Sequence, residues 1–418
     1  MIRFLHAADP HIDSPLRGLD AHEGAPVQLL RGATRRAFEN LVQLAIDERV
    51  DFVVIAGDLY DGDWRDYRTG LFLRGEMARL NRAGIPVYLV AGNHDAASVI
   101  HKKVSLPDNV HLFSTRTAET IEVTGHPVVI HGRGFAHRAV PENLAAEYPA
   151  AVPGKCNIGV LHTSLAGRSG HDTYAPCTEA DLGRKGYAYW ALGHVHQPEI
   201  LCRDPWIVYA GNCQGRDVRE TGPRGCRLVT LSSALEVQSV RWHELAVVRW
   251  EVITVNLDGV AHESEALGRV RDALAGVVGA AGGRLVAARI VFTGATCLHG
   301  SLHRESSRWR AELLGCAQDQ GDDAVWIEKV LMQTSSVRDP EQLGRRDALT
   351  GIVLETLRQA GREPVDFPRE IRDMLDVVPA EVRNEVASEW TGERQTGAMQ
   401  EVRDIILDAL GTTGGEET

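Results

Sequence analysis

Acidic, amide and imidazole side chains directly follow five short apolar runs in the first half of the chain. These side chains are Asp9 and His11, Asp58, Asn93 with His94 and Asp95, His162, and His194 with His196. Oxygen and imidazole donors without a thiolate suit manganese, iron or zinc better than copper(I) or an iron–sulfur cluster. The pattern therefore predicts a metal site that is assembled from five strand ends.

One carboxylate in such a set could bridge two cations, and Asp58 is the candidate because its apolar run looks central. Two cations about 3.5–4 Å apart lower the pKa of a bridging water from about 15.7 towards neutrality and neutralise charge on a phosphate oxygen. A lone Asp-x-His or Gly-Asp after an apolar run is commonly only a strand exit. The prediction of phosphoester hydrolysis therefore depends on the five motifs occurring together.

The elements that must position these side chains alternate between strand and helix. Apolar runs at 2–8, 52–56 and 87–91 predict strands, the second of them buried on both faces. Apolar residues at three- and four-residue spacing predict helices over 27–50 and 70–82. This order predicts an α/β domain, in which sites form at the carboxyl ends of the strands.

The later part of the chain predicts further layers. Short runs between 110 and 209 predict a second sheet of mixed direction packed against the first, closed by a hairpin over 227–241. We therefore expect an α/β fold with a layered β-sandwich core flanked by helices, a small α+β domain and C-terminal helices. The predicted boundaries are 1–245 for the core, 246–335 for the α+β domain and 336–418 for the helical segment.

Composition narrows the class of protein. The 418 residues suffice for two or three domains, and 44% hydrophobic with 24% charged residues is ordinary for a globular protein. A net charge of −12 disfavours coating nucleic acid with the whole surface but leaves room for a local basic groove. Seven cysteines without a CxxC pair, and no apolar run of about 18–20 residues, predict a cytoplasmic protein without membrane association.

The order of the five motifs resembles the calcineurin-like metallophosphoesterase superfamily. Three segments resemble its SbcD-type DNA repair exonucleases, and among them the YhaO-like branch. They are His-Ala-Ala-Asp-Pro-His-Ile-Asp-Ser-Pro from His6, Gly-Asp-Leu-Tyr-Asp from Gly57, and Tyr-Trp-Ala-Leu-Gly-His-Val-His from Tyr189. The resemblance is specific over residues 1–245 and only architectural beyond them.

The resemblance implies a role for each candidate residue. One cation would be held by Asp9, His11, Asp58 and His196, and the other by Asp58, Asn93, His162 and His194. Both ions would be Mn²⁺, the metal that the family uses best. His94 would face the scissile phosphate instead of binding metal, and Asp95 would orient its imidazole. Asp61 stands where archaeal and eukaryotic members carry a histidine. A role of that histidine in guiding DNA is therefore not implied for this chain.

The function implied is a Mn²⁺-dependent DNA exo- and endonuclease in double-strand break repair, working as a homodimer with an SbcC-like, SMC-type coiled-coil ATPase. Residues 246–335 would shape access of DNA, and 336–418 would dock on the ATPase. A metallophosphoesterase for small phosphodiesters or phosphomonoesters would use the same cage, although the long extension after residue 245 favours the nuclease. A DNA-end scaffold without hydrolysis is disfavoured by His94 and the full ligand set.

Overall fold

A computed structural model describes residues 1–14, 24–61, 67–97, 105–165, 174–337 and 351–356, with 402, 403 and 406. The strands are β1 (Ile2–Ala7), β2 (Phe52–Ala56), β3 (Val87–Val90), β4 (Val110–Leu112), β5 (Glu119–Glu122), β6 (Val128–Gly132), β7 (Cys156–His162), β8 (Tyr189–Gly193), β9 (Glu199–Arg203), β10 (Trp206–Tyr209), β11 (Gly225–Leu231), β12 (Val237–Glu244), β13 (Val248–Asn256), β14 (Leu285–Thr296) and β15 (Val325–Ser336). The α-helices are α1 (Val27–Asp47), α2 (Tyr67–Arg82), α3 (Asn93–Ala97), α4 (Glu179–Gly183), α5 (Glu263–Ala281), α6 (His299–Arg304) and α7 (Ser306–Gln318).

The first sheet has the order β12-β11-β1-β2-β3-β4, and its strands from β1 to β4 run parallel. The predicted hairpin, β11 with β12, joins it through an antiparallel pairing of β11 with β1. One expectation was wrong, because β4 belongs to this sheet and not to the second. Its Val110 pairs in parallel register with Val87 of β3.

The second sheet has the order β5-β6-β7-β8-β10-β9. Its four inner strands are parallel and both edge strands are antiparallel, which confirms the predicted mixed direction. The edge strand β9 was not predicted from the sequence. Its residues are only partly buried, and charged residues, Glu199 and Arg203, stand at its two ends.

Successive residues of the central strands face opposite cores, as the two-residue period of a strand requires. Leu5 and Val53 pack towards helices α1 and α2, whereas Phe4 and Val54 pack into the apolar layer between the two sheets. Every residue of β2 is buried, in agreement with its continuous apolar run. The layered sandwich is thus confirmed.

Helix α1 ends before the predicted position, since Arg49 adopts a left-handed backbone with φ of 49°.

The described residues divide into two compact units, Met1–Glu251 with Ala280–Ala287, and Val252–Gly279 with Ala288 onwards. The second unit contains α5, α6 and α7 with strands of the three-stranded sheet β13-β14-β15, so it has the α+β character expected. Of the predicted helical segment 336–418, only 336–337, 351–356, 402, 403 and 406 lie within the described residues, and all but the first two are helical. In the described ranges, no helix combines the length and apolarity that a membrane crossing needs.

Gly159 offers a test of the packing behind the site. It pairs with Trp190 across β7 and β8, and a Cβ at position 159 would overlap the buried indole ring. We predict that Gly159→Ala lowers the free energy of unfolding by about 1–3 kcal/mol, because the overpacked sheet must shift. Denaturant titration followed by tryptophan fluorescence measures this change.

The matched control is Gly75→Ala in helix α2, where an added Cβ meets nothing within 4 Å. This variant should gain about 0.5–1 kcal/mol, because alanine favours a helix interior. Wild-type stability in Gly159→Ala would contradict the packing of Trp190 described above.

Candidate metal centre

All nine candidate residues lie at the carboxyl ends of five strands in the first unit. Strands β1, β2 and β3 carry those of the first sheet, and β7 and β8 carry those of the second. Backbone and side-chain contacts join the ends directly: His194 N–H donates to Asp9 Oδ2 at 2.9 Å, linking the two sheets. The structure therefore brings the nine residues into one site.

The backbone at this site is strained. Asp9, His11, Asp58 and His194 have positive φ angles of 48°, 41°, 52° and 91°. Non-glycine residues rarely adopt this region, and such conformations cost about 1–3 kcal/mol each. Backbone hydrogen bonds hold two of them, from Asp9 N to Gly57 O at 3.1 Å and from His11 N to Asp58 O at 3.0 Å. The concentration of strain marks this edge as functional.

Glycine precedes three of the motifs because the strand ends approach one another closely. A Cβ on Gly92 would collide with the Asp58 carboxylate, and a Cβ on Gly193 would collide with the carbonyl oxygen of Ala56. The Gly-Asn and Gly-His pairs of the sequence are therefore required by packing between the ligand-bearing turns.

The seven predicted metal ligands, Asp9, His11, Asp58, Asn93, His162, His194 and His196, are called the cage below. Asp58 occupies the position between its two halves. Its Oδ1 accepts the backbone N–H of His94 at 2.9 Å, which fixes the carboxylate. Its Oδ2 lies 3.8 Å from His11 Nε2 and 3.4 Å from His162 Nε2. One oxygen is thus anchored to the backbone, while the other lies near both histidines, where it could serve as a shared ligand.

Two of the predicted ligand histidines, His162 and His196, have a hydrogen-bond acceptor at Nδ1. His162 Nδ1 lies 2.9 Å from Ala56 O, to which it can donate, and its Nε2 lies 2.8 Å from Asn93 Oδ1. His196 Nδ1 lies 2.7 Å from a carboxylate oxygen of Glu220, and its Nε2 lies 3.2 Å from His11 Nε2. A hydrogen bond at Nδ1 leaves Nε2 available as a metal ligand.

The electrostatics of the cage favour a cation. Burial raises the pKa of Asp9 to about 6, although His162 and His196 oppose it. Burial also acts against the charge of Asp58, but His162, His11 and His94 hold the pKa of Asp58 well below its usual range. Burial lowers the pKa of His162, yet the charges of Asp58 and Asp9 outweigh it and raise the pKa to about 9. These buried carboxylates require positive charge among them.

Among the described residues, three groups of side chains have ligand atoms within 4.8 Å of one another. They are Asp9 with His11 and His196, Asp9 with Asp58 and His162, and His11 with Asp61 and His94. Their donors are carboxylate and imidazole, a set that fits a divalent transition metal. Divalent cations therefore fit the site in both charge and donor chemistry.

His94 differs from the ligand candidates in exposure and partner. Its side chain is 27% exposed, compared with 1% for His11, and its Nδ1 lies 2.9 Å from Asp61 Oδ1. Burial lowers the pKa of His94, but the hydrogen bond to Asp61 and the charge of Asp58 outweigh burial and raise it. A protonated imidazole at the mouth of the cage could donate to a substrate oxygen.

The orienting role expected for Asp95 stays a prediction, and Asp61 contacts the His94 ring, with Oδ1 at 2.9 Å from Nδ1. Both Asp95 oxygens accept backbone N–H groups, from Tyr60 at 3.2 Å and from Gly92 at 2.9 Å. Asp95 thereby ties together the turns after β2 and β3.

Three functional neighbours had no assigned role from the sequence: Asp61, Arg216 and Glu220. The only signal for Asp61 was its place in the Gly-Asp-Leu-Tyr-Asp segment. Arg216 Nη1 lies 3.9 Å from Asp61 Oδ2, and Arg216 Nη2 donates to Glu220 at 2.8 Å. Burial opposes the charge of Glu220, but His196 and Arg216 hold its pKa well below the usual range.

Two stretches of the chain match known protein families. Residues 2–198 match the model of the calcineurin-like phosphoesterase family. This stretch, just under half of the chain, is therefore similar to that family. Residues 250–335 match the middle domain of the metallophosphoesterase YhaO.

Two kinds of relative are similar to the chain in sequence. The uncharacterized metallophosphoesterase YhaO of Bacillus subtilis is 36% identical over 262 residues, which cover 61% of this chain and 63% of the relative. The DNA double-strand break repair protein Mre11 of Methanosarcina mazei is 26% identical over 263 residues, which cover 62% of this chain and 40% of the relative. The chain therefore spans less than two thirds of either relative's length.

Solved structures are similar at a much lower level. A dimetal phosphatase from Danio rerio has 13% identity, a TM-score of 0.35, and coverage of 56% of this chain and 93% of its own. A protein of Thermus thermophilus has 14% identity, a TM-score of 0.32, and coverage of 58% of this chain and 99% of its own. Scores this low carry no conclusion about the site.

The Asp61–His94 pair predicts a change in pH dependence. Because Asp61 raises the pKa of His94, the imidazole stays protonated to a higher pH than an ordinary histidine. If it donates a proton, activity falls as pH rises through that pKa. In Asp61→Asn the fall should begin at lower pH, with kcat reduced about 10- to 100-fold at alkaline pH. Initial rates of phosphodiester hydrolysis across the pH range measure both effects.

Asp51→Asn is the matched control, since Asp51 pairs with His126 at 3.3 Å before β2, at the opposite end of that strand. Its pH profile should coincide with that of the wild type. An unchanged profile in Asp61→Asn would refute the role given to the pair.

Proposed function

We propose that the chain is a manganese-dependent DNA exo- and endonuclease that hydrolyses phosphodiester bonds by a two-metal mechanism. The observation that carries this proposal is Asp58 Oδ2, which lies near both His11 and His162 while His94 stands beside them. The similarity of residues 2–198 to calcineurin-like phosphoesterases supports phosphoester hydrolysis. The separation of ligands from a proton donor supports catalysis over passive metal binding.

The cage would hold its cations in two overlapping sets. One ion would lie among Asp9, His11, Asp58 and His196, and the other among Asp58, Asn93, His162 and His194. Two such ions supply a water nucleophile of lowered pKa and neutralise charge on the phosphate. Asp58 would belong to both sets and would so hold them in a fixed position relative to each other.

His94 would serve as the proton donor to the leaving oxygen. Its Nδ1 is occupied by Asp61, so Nε2 is the ring atom left for the substrate. The partly exposed imidazole can reach a phosphate that enters from outside, whereas His11 and His162 are buried. Asp61 would hold both the orientation and the proton of the ring.

DNA is proposed as the substrate because of the relatives. Mre11 of Methanosarcina mazei is a DNA double-strand break repair protein, and its likeness covers 62% of this chain. We further propose that residues 246–335 shape access of DNA and that 336–418 dock on an SbcC-like ATPase. A homodimer in the cytoplasm is the corresponding assembly and location.

The proposal is tested by incubating the chain with Mn²⁺ and linear duplex, hairpin or single-stranded DNA, and separately with bis(p-nitrophenyl) phosphate. We expect cleavage of DNA and of the small ester, both abolished by a chelator. Cleavage of the small ester with all DNA intact, even after addition of the ATPase partner, would contradict the nuclease and favour the small-phosphoester alternative.

Two variants separate proton donation from metal binding in the same assay. His94→Ala should retain both ions while its activity falls about 10²- to 10⁴-fold, the usual contribution of a general acid. Asp58→Ala should lose both ions, since both sets include its carboxylate. Elemental analysis of the dialysed proteins distinguishes them, and loss of metal from His94→Ala would show that its role is misassigned.

A further inference from the structure

Glu220, in the loop between β10 and β11, lies directly behind a predicted metal ligand. Its side chain is 12% exposed, and each of its oxygens lies within hydrogen-bonding distance of at least two donors. Oε1 lies 2.7 Å from His196 Nδ1 and 2.8 Å from Arg216 Nη2. Oε2 accepts from Asn212 Nδ2 at 2.7 Å and from the backbone N–H of Arg216 at 2.8 Å. The carboxylate is therefore held from four directions.

The contact with Glu220 fixes the tautomer of His196. Nδ1 of His196 lies 2.7 Å from Glu220 Oε1 and 3.2 Å from Arg216 Nη2. The shorter contact is to a carboxylate, which cannot donate, so it places a proton on Nδ1. Nε2 then carries the lone pair and faces His11 Nε2 at 3.2 Å, within the group of Asp9, His11 and His196. A carboxylate behind a histidine fixes its tautomer and ring orientation and strengthens it as a ligand.

We infer that Glu220 is a positioning residue for one of the two cations, the ion of Asp9, His11 and His196. This inference rests on the proposed metal centre. The other ion does not depend on Glu220, because His162 has its own Nδ1 acceptor in the backbone oxygen of Ala56. Two histidines of one cage are thus oriented by different means, a carboxylate in one half and a main-chain carbonyl in the other.

The surroundings of Glu220 call for a carboxylate and not an amide. Each of its oxygens faces two donors, so an amide nitrogen at either position would meet N–H groups of Arg216 and of His196 or Asn212. Glu220→Gln has the same size as the wild-type side chain but cannot satisfy these four donors. It therefore tests the charge and acceptor pattern without creating a cavity.

The experiment is a Mn²⁺ titration of the full chain, wild type and variants, followed by electron paramagnetic resonance of free and bound ions. The wild type should bind two ions whose spins couple. Glu220→Ala and Glu220→Gln should bind one of them about 10- to 100-fold more weakly. At intermediate Mn²⁺ the spectrum should be that of an isolated bound ion. A general loss of structure would weaken both ions equally, so the selective loss is the diagnostic result.

The matched control is Glu244→Ala. Glu244 is also a partly buried carboxylate with a bidentate arginine, Arg249, at 2.9 and 2.7 Å, and it also contacts Arg284. This variant should keep two coupled ions at wild-type affinity. Circular dichroism of each protein before titration verifies folding, and Glu220→Gln decides the matter if Glu220→Ala does not fold.

Two outcomes overturn the inference and are distinct from failure of the proposed function. Wild-type affinity for both ions in Glu220→Gln, or equal weakening of both, would show that Glu220 does not position His196 for one ion. A wild type that binds fewer than two ions would overturn the inference together with the metal centre. Two bound ions without cleavage of DNA would instead refute the nuclease while leaving the role of Glu220 intact.

Discussion

The site depends on the different contacts that the two carboxylate oxygens of Asp58 make. Oδ1 is tied to the backbone of the turn that carries His94, and Oδ2 is left facing His11 and His162 from opposite halves of the cage. Burying this charge beside Asp9 is costly unless positive charge lies between them. Divalent cations meet that need, and the same requirement explains why imidazoles with oriented Nδ1 atoms surround both carboxylates.

The two-sheet sandwich makes this arrangement stable. Strands β1, β2 and β3 approach from one sheet and β7 and β8 from the other, so their carboxyl ends meet across the shared apolar layer. Left-handed backbone at Asp9, His11, Asp58 and His194 is unfavourable in isolation, and it persists because the buried strands before each turn allow no relaxation. The favourable packing of the core thus offsets the free-energy cost of the strained backbone at the site.

Local signals in the sequence identified most of this structure. Continuous apolar runs located β1, β2 and β3, and the ligand types at their ends indicated the metal centre. The misplaced β4 depended on its pairing with β3, and β9 was missed because its residues are only partly buried. Asp61 and Glu220 escaped assignment because the role of a loop carboxylate depends on the histidine that folding brings to it.

Diffraction from crystals grown with Mn²⁺ tests most directly whether Asp58 Oδ2 joins two cations. Anomalous differences collected near the manganese edge should show two peaks about 3.5–4 Å apart. Asp58 Oδ2 should lie between them, with His11 and His196 on one side and Asn93 and His162 on the other. A single peak, or two peaks of which only one contacts Asp58, would contradict the account.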